Sequence, residues 1–365
     1  MFFRPERDVP FAATPETVKK LAARHQIIVQ SGAGIQASIT DAAYAAAGAT
    51  IVSAADAFGA DLLLKVQAPD DAELARIKSG TVVVGMLNPF DADNTGLMAQ
   101  AGITAFALEA APRITRAQSM DVLSSQCNIA GYKAVMMAAN TYQRFMPMLM
   151  TAAGTVKAAR VLIMGVGVAG LQVIATAKRL GAVIEASDGR PPVKEQVESL
   201  GAKFIDVPYL TDEEKEIAQG AGGYARPMPP AWMQRQAELV HERAKLADII
   251  ITTALIPGRK APVLISEKTV KAMKPGSVIV DLAAGQGGSC PLTEAGRTVV
   301  KHGVHIIGEP NLACLVAADA SALYARNMLD FLKLIIDKED KLAIDREDDI
   351  IKATLLCAGG EVLRK

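Results

Sequence analysis

Three glycines with the spacing Gly-X-Gly-X-X-Gly form the most specific chemical motif in the sequence. Gly165, Gly167 and Gly170 directly follow the apolar run VLIM and directly precede a helical pattern. There the first glycine permits a tight turn, the second lets the backbone approach a pyrophosphate, and the third lets the helix pack closely on the strand. Amide groups at the helix N-terminus then face the phosphates. The turn, including Val166 and Val168, is therefore predicted to bind a dinucleotide.

A carboxylate follows the next predicted strand. Asp188 lies 23 positions after Gly165, just behind the run VIEAS. A carboxylate at this place accepts hydrogen bonds from an adenosine ribose and repels a 2′-phosphate, which favours NAD(H). The alternative is an ordinary βα turn with a solvated acid. Arg190 lies two residues after Asp188, beyond Gly189. Because arginine can bind a 2′-phosphate, the choice between NAD(H) and NADP(H) stays open at this point.

A second polar group lies in PRITRAQSMDVLSS, residues 112–125, between the apolar run TAFAL and a long helical pattern. Five of its side chains can form hydrogen bonds with a ligand or with water: Arg113, Arg116, Gln118, Asp121 and Ser124. The segment fits a solvated loop that enters a helix, and it fits a set of ligand-binding groups equally well. Its own residues do not decide between them.

The elements around these motifs alternate between β-branched runs and helical patterns. Thr14 and Pro15 mark the start of the first helix as N-cap and first helical residue. Two series of predicted strands follow: QIIVQ, DLLLKVQ, TVVVGML and TAFAL, then RVLIMG, VIEASD, AKFIDV, ADIIITTAL, SVIVDLAA and GVHIIGE. Such alternation predicts an α/β protein with two Rossmann-like, doubly wound parallel sheets.

A long amphipathic helix over residues 317–335 has no partner in the tail that follows it. We expect it to return and pack on the first series of elements. One domain is then inserted into the other: residues 1–123 with 317–365 form the discontinuous N-terminal domain, and residues 124–316 form the NAD(H)-binding Rossmann domain. This arrangement places the segment 112–125 at the cleft between the domains.

The composition excludes several classes of function. The 365 residues include 39 basic and 39 acidic side chains, with no Lys/Arg-rich run, so no nucleic-acid partner is expected. The longest apolar run, 161–177, is glycine-interrupted and short for a membrane span, and MFFRPERDVP is not a signal peptide. Four scattered cysteines predict neither a metal site nor a disulfide framework. These features are typical of a cytoplasmic protein.

Nine blocks of the sequence resemble one family, from about residue 12 to near the C-terminus. They are similar to the NAD(H)-binding subunit of proton-translocating nicotinamide nucleotide transhydrogenase, a family that shares its two-domain fold with alanine dehydrogenases. The blocks are RITRAQSMD, NIAGYKAV, PMLMTAAGT, GVGVAGLQVIATAKRLGAVIEASD, KEQVESLGAKF, GAGGYA, ITTALIPGRKAPVLI, MKPGSVIVDLAA and ALYARN. Their length and number make the resemblance far more specific than the glycine motif alone.

The resemblance implies an enzyme that is active only with partners. In this family the NAD(H)-binding component is a soluble homodimer that docks with an NADP(H)-binding component and with a membrane component that conducts protons. Hydride passes directly between the two nicotinamides while protons cross the membrane. The chain is then expected to be cytoplasmic and peripheral to the inner membrane through its partners. Whether the membrane part is a separate polypeptide or was removed stays open.

The resemblance also gives the segment 112–125 a role as a loop over the nicotinamide and its ribose. Gln118 is expected to position the nicotinamide, and no acid–base residue is expected, because the cofactors carry the hydride chemistry. Arg116 is left to solvent or a salt bridge. The residues implied to bind NAD(H) in this loop are Arg113, Ile114, Thr115, Gln118, Asp121 and Ser124.

Further nucleotide contacts are implied in the second domain. GAGGYARPMPP, with Gly223 and Tyr224, corresponds to a mobile lid loop within an irregular stretch, 208–230; without the resemblance it is an ordinary surface loop. Gln236 and Leu255 match nucleotide-contacting positions, although a solvated helix residue and a strand-end core residue explain them equally well. With Gly165, Val166, Gly167, Val168, Gly170, Asp188, Gly189 and Arg190 they complete the predicted site, which includes no metal.

The sequence departs from the family where Pro10 replaces an arginine, Gly189 a valine and Gly285 an acid. Two alternatives remain: an alanine dehydrogenase-like oxidoreductase and a non-catalytic NAD(H)-binding module. For the alanine dehydrogenase alternative, Lys65 matches a substrate-contacting lysine of that family, although a lysine by itself is more often a solvated side chain. However, an amino-acid dehydrogenase needs a general acid or base near the substrate carbon, and TVVVGMLNPF, 81–90, contains no histidine.

Overall fold

A computed structural model describes residues 2–3, 12–190, 192–218, 228–255 and 258–364. The chain forms two compact units: unit 1 comprises Met1–Gln126 and Ala313–Lys365, and unit 2 comprises Cys127–Leu312. The sequence placed these divisions at 123/124 and 316/317. The first division falls inside a long helix, which has no break in its hydrophobic pattern to mark it.

The strands are numbered along the chain. They are β1 (Phe2–Phe3), β2 (Ile27–Gln30), β3 (Ala49–Val52), β4 (Leu62–Gln67), β5 (Val82–Met86), β6 (Thr104–Ala107), β7 (Leu149–Thr151), β8 (Gly154–Val156), β9 (Arg160–Met164), β10 (Val183–Ser187), β11 (Lys203–Phe204), β12 (Ile249–Thr252), β13 (Val278–Asp281), β14 (Thr298–Lys301), β15 (Val304–Ile307), β16 (Leu355–Ala358) and β17 (Glu361–Val362).

The helices are numbered in the same way. They are α1 (Pro15–Ala22), α2 (Asp41–Ala46), α3 (Ala54–Ala57), α4 (Asp71–Leu74), α5 (Ala92–Gln100), α6 (Val122–Thr141), α7 (Val168–Arg179), α8 (Val193–Ser199), α9 (Asp212–Ala218), α10 (Pro230–Ala244), α11 (Glu267–Ala272), α12 (Ala317–Ile335) and α13 (Asp349–Thr354). Within the described ranges, no helix is both long enough and apolar enough to span a membrane.

Unit 1 contains a six-stranded sheet in the order β1-β4-β5-β6-β16-β17. The first four strands are parallel, whereas β16 is antiparallel to β6 and β17 is antiparallel to β16. Strands β2 and β3 form a separate parallel pair. The sequence predicted β2, β4, β5 and β6 but missed β3, β16 and β17. These are short runs, and their conformation depends on pairing with another strand: β3 with β2, β16 with β6, and β17 with β16.

Helix α12 packs into the core of unit 1, as its amphipathic pattern predicted. Phe331 is fully buried and meets Phe106 of β6 edge to face, with ring centroids 5.4 Å apart. The buried Tyr324 hydroxyl donates to the carbonyl of Lys65 in β4 at 2.9 Å. The C-terminal part of the chain is therefore joined to the N-terminal sheet by burial and by a hydrogen bond.

Unit 2 contains a seven-stranded sheet in the order β11-β10-β9-β12-β13-β15-β14. All strands are parallel except β14, which is antiparallel to β15. The chain winds outward from β9 in one direction through β10 and β11 and in the other through β12 and β13. The carboxyl ends of β9 and β12 therefore form the topological switch point at which doubly wound sheets bind ligands. This confirms the α/β, Rossmann-like expectation.

Three features of unit 2 differ from the sequence-based expectation. Strands β7 and β8 form a hairpin that the sequence patterns did not predict. The stretch 208–230, expected to be irregular, contains helix α9, and its residues 219–227 lie outside the described ranges. Strand β14 was not predicted, because TVVK lacks a long apolar run and depends on pairing with β15.

The packing of α12 predicts that Phe331→Ala destabilises unit 1. Removal of a fully buried phenylalanine leaves a cavity and costs about 3–5 kcal/mol of unfolding free energy. Leu323→Ala, at a half-exposed position of the same helix, is the matched control and should cost much less. Denaturant titrations followed by circular dichroism measure both. Equal losses for the two variants would contradict the packing described here.

Candidate functional site

The three glycines of the turn after β9 have three distinct surroundings. Gly165 has φ +95°, and a Cβ there would lie 2.9 Å from Thr253 Oγ1. A Cβ on Gly170 would overlap the carbonyl oxygen of Gly165, so only glycine permits this approach of α7 to β9. A Cβ on Gly167 meets no described atom within 4 Å. The first and third glycines are thus needed for packing, and the second borders open space.

The turn is fixed by the ends of the strands on either side of β9. The Gly165 amide donates to the carbonyl of Ser187, the last residue of β10, at 2.9 Å. The Thr253 amide donates to Met164 at 2.8 Å, and the Thr253 hydroxyl donates to the Gly165 carbonyl at 2.8 Å. These bonds hold the backbone of the turn in one conformation.

The open space lies at the N-terminus of helix α7. Gly167 is its N-cap, and no side chain caps the helix. The N-terminus of a helix carries partial positive charge and unsatisfied amide groups, so it binds phosphates. Because Gly167 has no side chain, the backbone itself is accessible. The geometry suits the pyrophosphate of a dinucleotide.

Asp188 is hydrogen-bonded to the same turn. Its Oδ2 accepts from the Val166 amide at 2.7 Å, which connects the end of β10 with the turn after β9. The Arg190 guanidinium donates Nε to Oδ1 at 2.9 Å and Nη2 to Oδ2 at 2.8 Å. The Asp188 carboxylate raises the pKa of Arg190 above its ordinary value through these bonds. The sequence singled out both residues but did not show that they pair with each other.

An aromatic pair that the sequence did not single out lies beside Gly189. Trp232 of α10 is buried and stacks on Tyr209, with ring centroids 6.0 Å apart. The Tyr209 hydroxyl donates to the Gly189 carbonyl at 3.4 Å, and a Cβ on Gly189 would lie 3.8 Å from the Trp232 ring. That distance is an ordinary van der Waals contact, so the packing leaves room for a Cβ at position 189, and nothing in the structure explains the glycine there.

The remaining predicted residues of unit 2 are less well defined. Gln236 is half-buried in the middle of α10, and Leu255 is 36% exposed, three residues beyond the end of β12. Gly223 and Tyr224, assigned to the lid, lie outside the described residues. Their roles stay predictions.

The loop 112–125 belongs to unit 1. Residues Thr115–Met120 form a 3₁₀ turn, and Arg113, Ile114, Thr115 and Gln118 are exposed. Asp121 accepts from the Ser124 amide at 2.9 Å and from the Ser124 hydroxyl at 2.6 Å. This pair lies at the start of α6, where such bonds satisfy helix amides. Asp121 and Ser124 thus bind each other while Gln118 presents its amide to the surface.

Side chains from the C-terminal part of the chain hold this loop. Asn327 of α12 donates Nδ2 to the Ser119 carbonyl at 2.7 Å and accepts from the Ser125 hydroxyl at 2.8 Å. Arg116 forms an ion pair with Asp348, the N-cap of α13, at 2.5 Å, and its guanidinium lowers the pKa of Asp348. Of the two alternatives for Arg116, solvent or a salt bridge, the structure shows the salt bridge. The sequence did not reveal these contacts, because Asn327 and Asp348 lie far from the loop along the chain.

Lys65 contradicts one expectation. The sequence treated it as solvated, but its side chain is only 1% exposed, and its ammonium lies 3.0 Å from Glu73 Oε1. A buried ammonium needs a compensating charge, and Glu73, eight residues later, supplies it. Lys65 is thus part of the packed interior of unit 1.

A half-buried carboxyl, that of Glu109, lies at the strand ends of unit 1. Glu109 accepts from the Asn88 amide at 2.7 Å and from the Leu87 amide at 3.2 Å, and burial raises its pKa to about 7. These bonds hold the turn after β5. Across the described ranges, no cluster of three or more His, Cys, Asp or Glu side chains could bind a metal.

Comparison with known proteins identifies the family. Models of the alanine dehydrogenase/PNT N-terminal and C-terminal domains match residues 5–130 and 134–365. An NAD(P) transhydrogenase subunit alpha protein of Rhodospirillum rubrum, named as the first part of that subunit, is 52% identical over 362 residues, 96% of this chain and 94% of that protein. The crystal structure of transhydrogenase from Sinorhizobium meliloti has 47% identity and a TM-score of 0.89, covering 99% of each chain.

An alanine dehydrogenase is a more distant relative. Alanine dehydrogenase 1 of Staphylococcus aureus is 29% identical over 348 residues, 91% of this chain and 86% of that protein. This identity is well below the 52% shared with the Rhodospirillum rubrum transhydrogenase subunit, so sequence identity alone distinguishes the two kinds of relative. This chain belongs to the alanine dehydrogenase/PNT family, and within it the chain is more similar to the transhydrogenase subunits than to that alanine dehydrogenase.

Proposed function

We propose that this chain is the NAD(H)-binding component of a proton-translocating nicotinamide nucleotide transhydrogenase. The observation that carries the proposal is the turn 165–170, where Gly167 leaves open space at an uncapped helix N-terminus. The pyrophosphate binds there, and the adenosine ribose binds at Asp188. The similarity to transhydrogenase subunits supports the reaction class.

The carboxylate of Asp188 favours NAD(H) over NADP(H). Its bond from the Val166 amide holds it beside the phosphate-binding turn, where it can accept from ribose hydroxyls. A 2′-phosphate at the same place would meet its negative charge. The nucleotide on this chain is therefore NAD(H), and NADP(H) belongs to a partner component.

The loop 112–125 binds the nicotinamide end. Gln118 has an amide that can both donate and accept, and its exposure leaves it available to the carboxamide or to a ribose hydroxyl. Hydride transfer requires no proton from the protein, so the loop acts by positioning. The other proposed contacts are Arg113, Ile114, Thr115, Asp121, Ser124, Gly223, Tyr224, Gln236 and Leu255.

The reaction requires partners. A hydride that leaves NADH needs an acceptor, and we assign the acceptor NADP⁺ to a separate NADP(H)-binding component. Proton translocation is assigned to a membrane component, which would hold this chain at the cytoplasmic face of the inner membrane. The name of the Rhodospirillum rubrum relative describes a portion of one subunit, which supports an assembly with further components.

An apolar surface of unit 2 supports a homodimer. Four neighbouring side chains in and before the β7–β8 hairpin are 36–71% exposed: Phe145, Met148, Leu149 and Met150. Contiguous exposed apolar patches on soluble proteins usually mark interaction sites. A second copy of the chain is the proposed occupant.

The first prediction from this proposal compares two glycines of the turn. Gly167→Ala adds a methyl group to open space, so it should retain stability but obstruct the pyrophosphate and raise the NADH dissociation constant by about tenfold, or roughly 1.4 kcal/mol. Gly170→Ala is the matched control: its methyl group meets the Gly165 carbonyl and should cost about 1–3 kcal/mol of stability. Fluorescence titration and thermal unfolding measure the two effects. Unchanged NADH affinity in Gly167→Ala would refute the proposed phosphate site.

The second prediction concerns Gln118. Gln118→Asn shortens the amide by one methylene, so NADH should still bind while hydride transfer slows by about tenfold or more, since small misplacements at the reacting centre are costly. Stopped-flow rates with the NADP(H)-binding component test this. Gln100→Asn, at an exposed site on α5, makes the same change elsewhere in unit 1. A normal transfer rate in Gln118→Asn would exclude the positioning role.

The third prediction concerns the hairpin. Met150→Asp places a charge on the most exposed apolar side chain of the patch, 71% exposed, and should shift the protein from dimer to monomer. Light scattering coupled to size exclusion measures the mass. Val300→Asp, at a 58% exposed position on the edge strand β14, is the control and should stay dimeric. A monomeric wild-type protein, or a dimeric Met150→Asp variant, argues against this interface.

A further inference from the structure

Asp188 and Arg190 form a closed hydrogen-bonded pair at the position proposed for the adenosine ribose. Oδ1 of Asp188 accepts from the Arg190 amide and from Arg190 Nε, both at 2.9 Å. Oδ2 accepts from the Val166 amide at 2.7 Å and from Arg190 Nη2 at 2.8 Å. A carboxylate offers about four acceptor sites, so Arg190 takes three of them and Val166 takes the fourth.

The guanidinium of Arg190 is held from a second direction as well. Its Nη2 also donates to the Val166 carbonyl at 3.1 Å, so the side chain folds back over the phosphate-binding turn. The Asp188 side chain is 6% exposed and that of Arg190 is 21% exposed. The arginine is therefore bound along one edge by the carboxylate and is largely withdrawn from solvent.

The edge of the guanidinium that Asp188 occupies is the edge that binds phosphate. Nε and Nη2 form a planar fork that binds a carboxylate or a phosphate with two parallel bonds. A 2′-phosphate on the adenosine ribose would be bound by two parallel bonds from this same fork. Because the carboxylate occupies it, the residue best suited to bind NADP(H) is not available to do so.

We propose that this chain contains a masked 2′-phosphate site, in which Arg190 is the binding residue and Asp188 withholds it. The inference rests on the proposed function, because it assumes that the adenosine ribose binds beside Asp188. Asp188 then selects NAD(H) in two ways: its charge repels a 2′-phosphate, and its hydrogen bonds keep Arg190 from compensating. NAD(H) binds when the ribose hydroxyls replace guanidinium bonds on the carboxylate.

This differs from selection by repulsion alone. If Asp188 acts only through its charge, removal of the carboxylate improves NADP(H) binding whether or not Arg190 is present. If Asp188 withholds Arg190, the improvement depends on the arginine. A double-variant comparison separates the two because each mechanism assigns a different role to Arg190.

The test measures NADH and NADPH dissociation constants by fluorescence titration for the wild-type chain and three variants. Asp188→Asn keeps the shape but loses the charge and half of the acceptors. Asp188→Asn with Arg190→Gln also removes the guanidinium. Glu185→Gln is the matched control, since it removes a carboxylate from the same strand, β10, where Glu185 pairs with Arg243 instead.

We expect Asp188→Asn to bind NADPH at least tenfold more tightly than the wild type, the double variant to lose that gain, and Glu185→Gln to match the wild type. A gain that survives in the double variant, or no gain in Asp188→Asn, overturns the masked site. If Asp188→Asn does not fold, as judged by circular dichroism, Asp188→Ser with and without Arg190→Gln replaces it under the same criteria.

The same data separate this inference from the proposed function. A wild-type chain that fails to bind NADH contradicts the proposed function directly. A wild-type chain that binds NADH while the variants show no arginine-dependent gain for NADPH contradicts only the masked site.

Discussion

The contact between Gly170 and the carbonyl of Gly165 is the constraint on which unit 2 depends. A Cβ at position 170 would overlap that oxygen, so the absence of a side chain permits α7 to start directly at the end of β9. The turn then reaches Ser187 of β10 and Thr253 after β12 through backbone and hydroxyl bonds. As a result the helix N-terminus lies at the switch point of the sheet, where phosphate binding is most favourable.

Unit 1 depends on a comparable constraint, supplied by distant sequence. Asn327 of α12 bonds to both Ser119 and Ser125, and Asp348 pairs with Arg116. The loop proposed to position the nicotinamide is thus held by the C-terminal part of the chain, which the buried Phe331 and Tyr324 attach to the sheet. Rigid support matters here because positioning, rather than acid–base chemistry, is the proposed contribution to hydride transfer.

Elements that depend on local sequence patterns could be predicted, whereas pairings between distant segments could not. The glycine turn and the central strands were predictable because spacing and apolar runs act over a few residues. Strands β3, β7, β8, β14, β16 and β17 were missed because each is only two to four residues long and is defined by pairing with another strand. Lys65 was wrongly taken as solvated, since the sequence does not show that Glu73 is close enough to neutralise it. The same limit concealed the Asp188–Arg190 pair, although both residues were named.

The most direct measurement mixes the purified chain with a transhydrogenase NADP(H)-binding component and follows reduction of the acetylpyridine analogue of NAD⁺ by NADPH. If the chain holds one nicotinamide for direct transfer to another, the analogue is reduced rapidly when both proteins are present and not by either protein alone. Failure to reduce an analogue that demonstrably binds to this chain, in the presence of an active partner, would contradict the assignment.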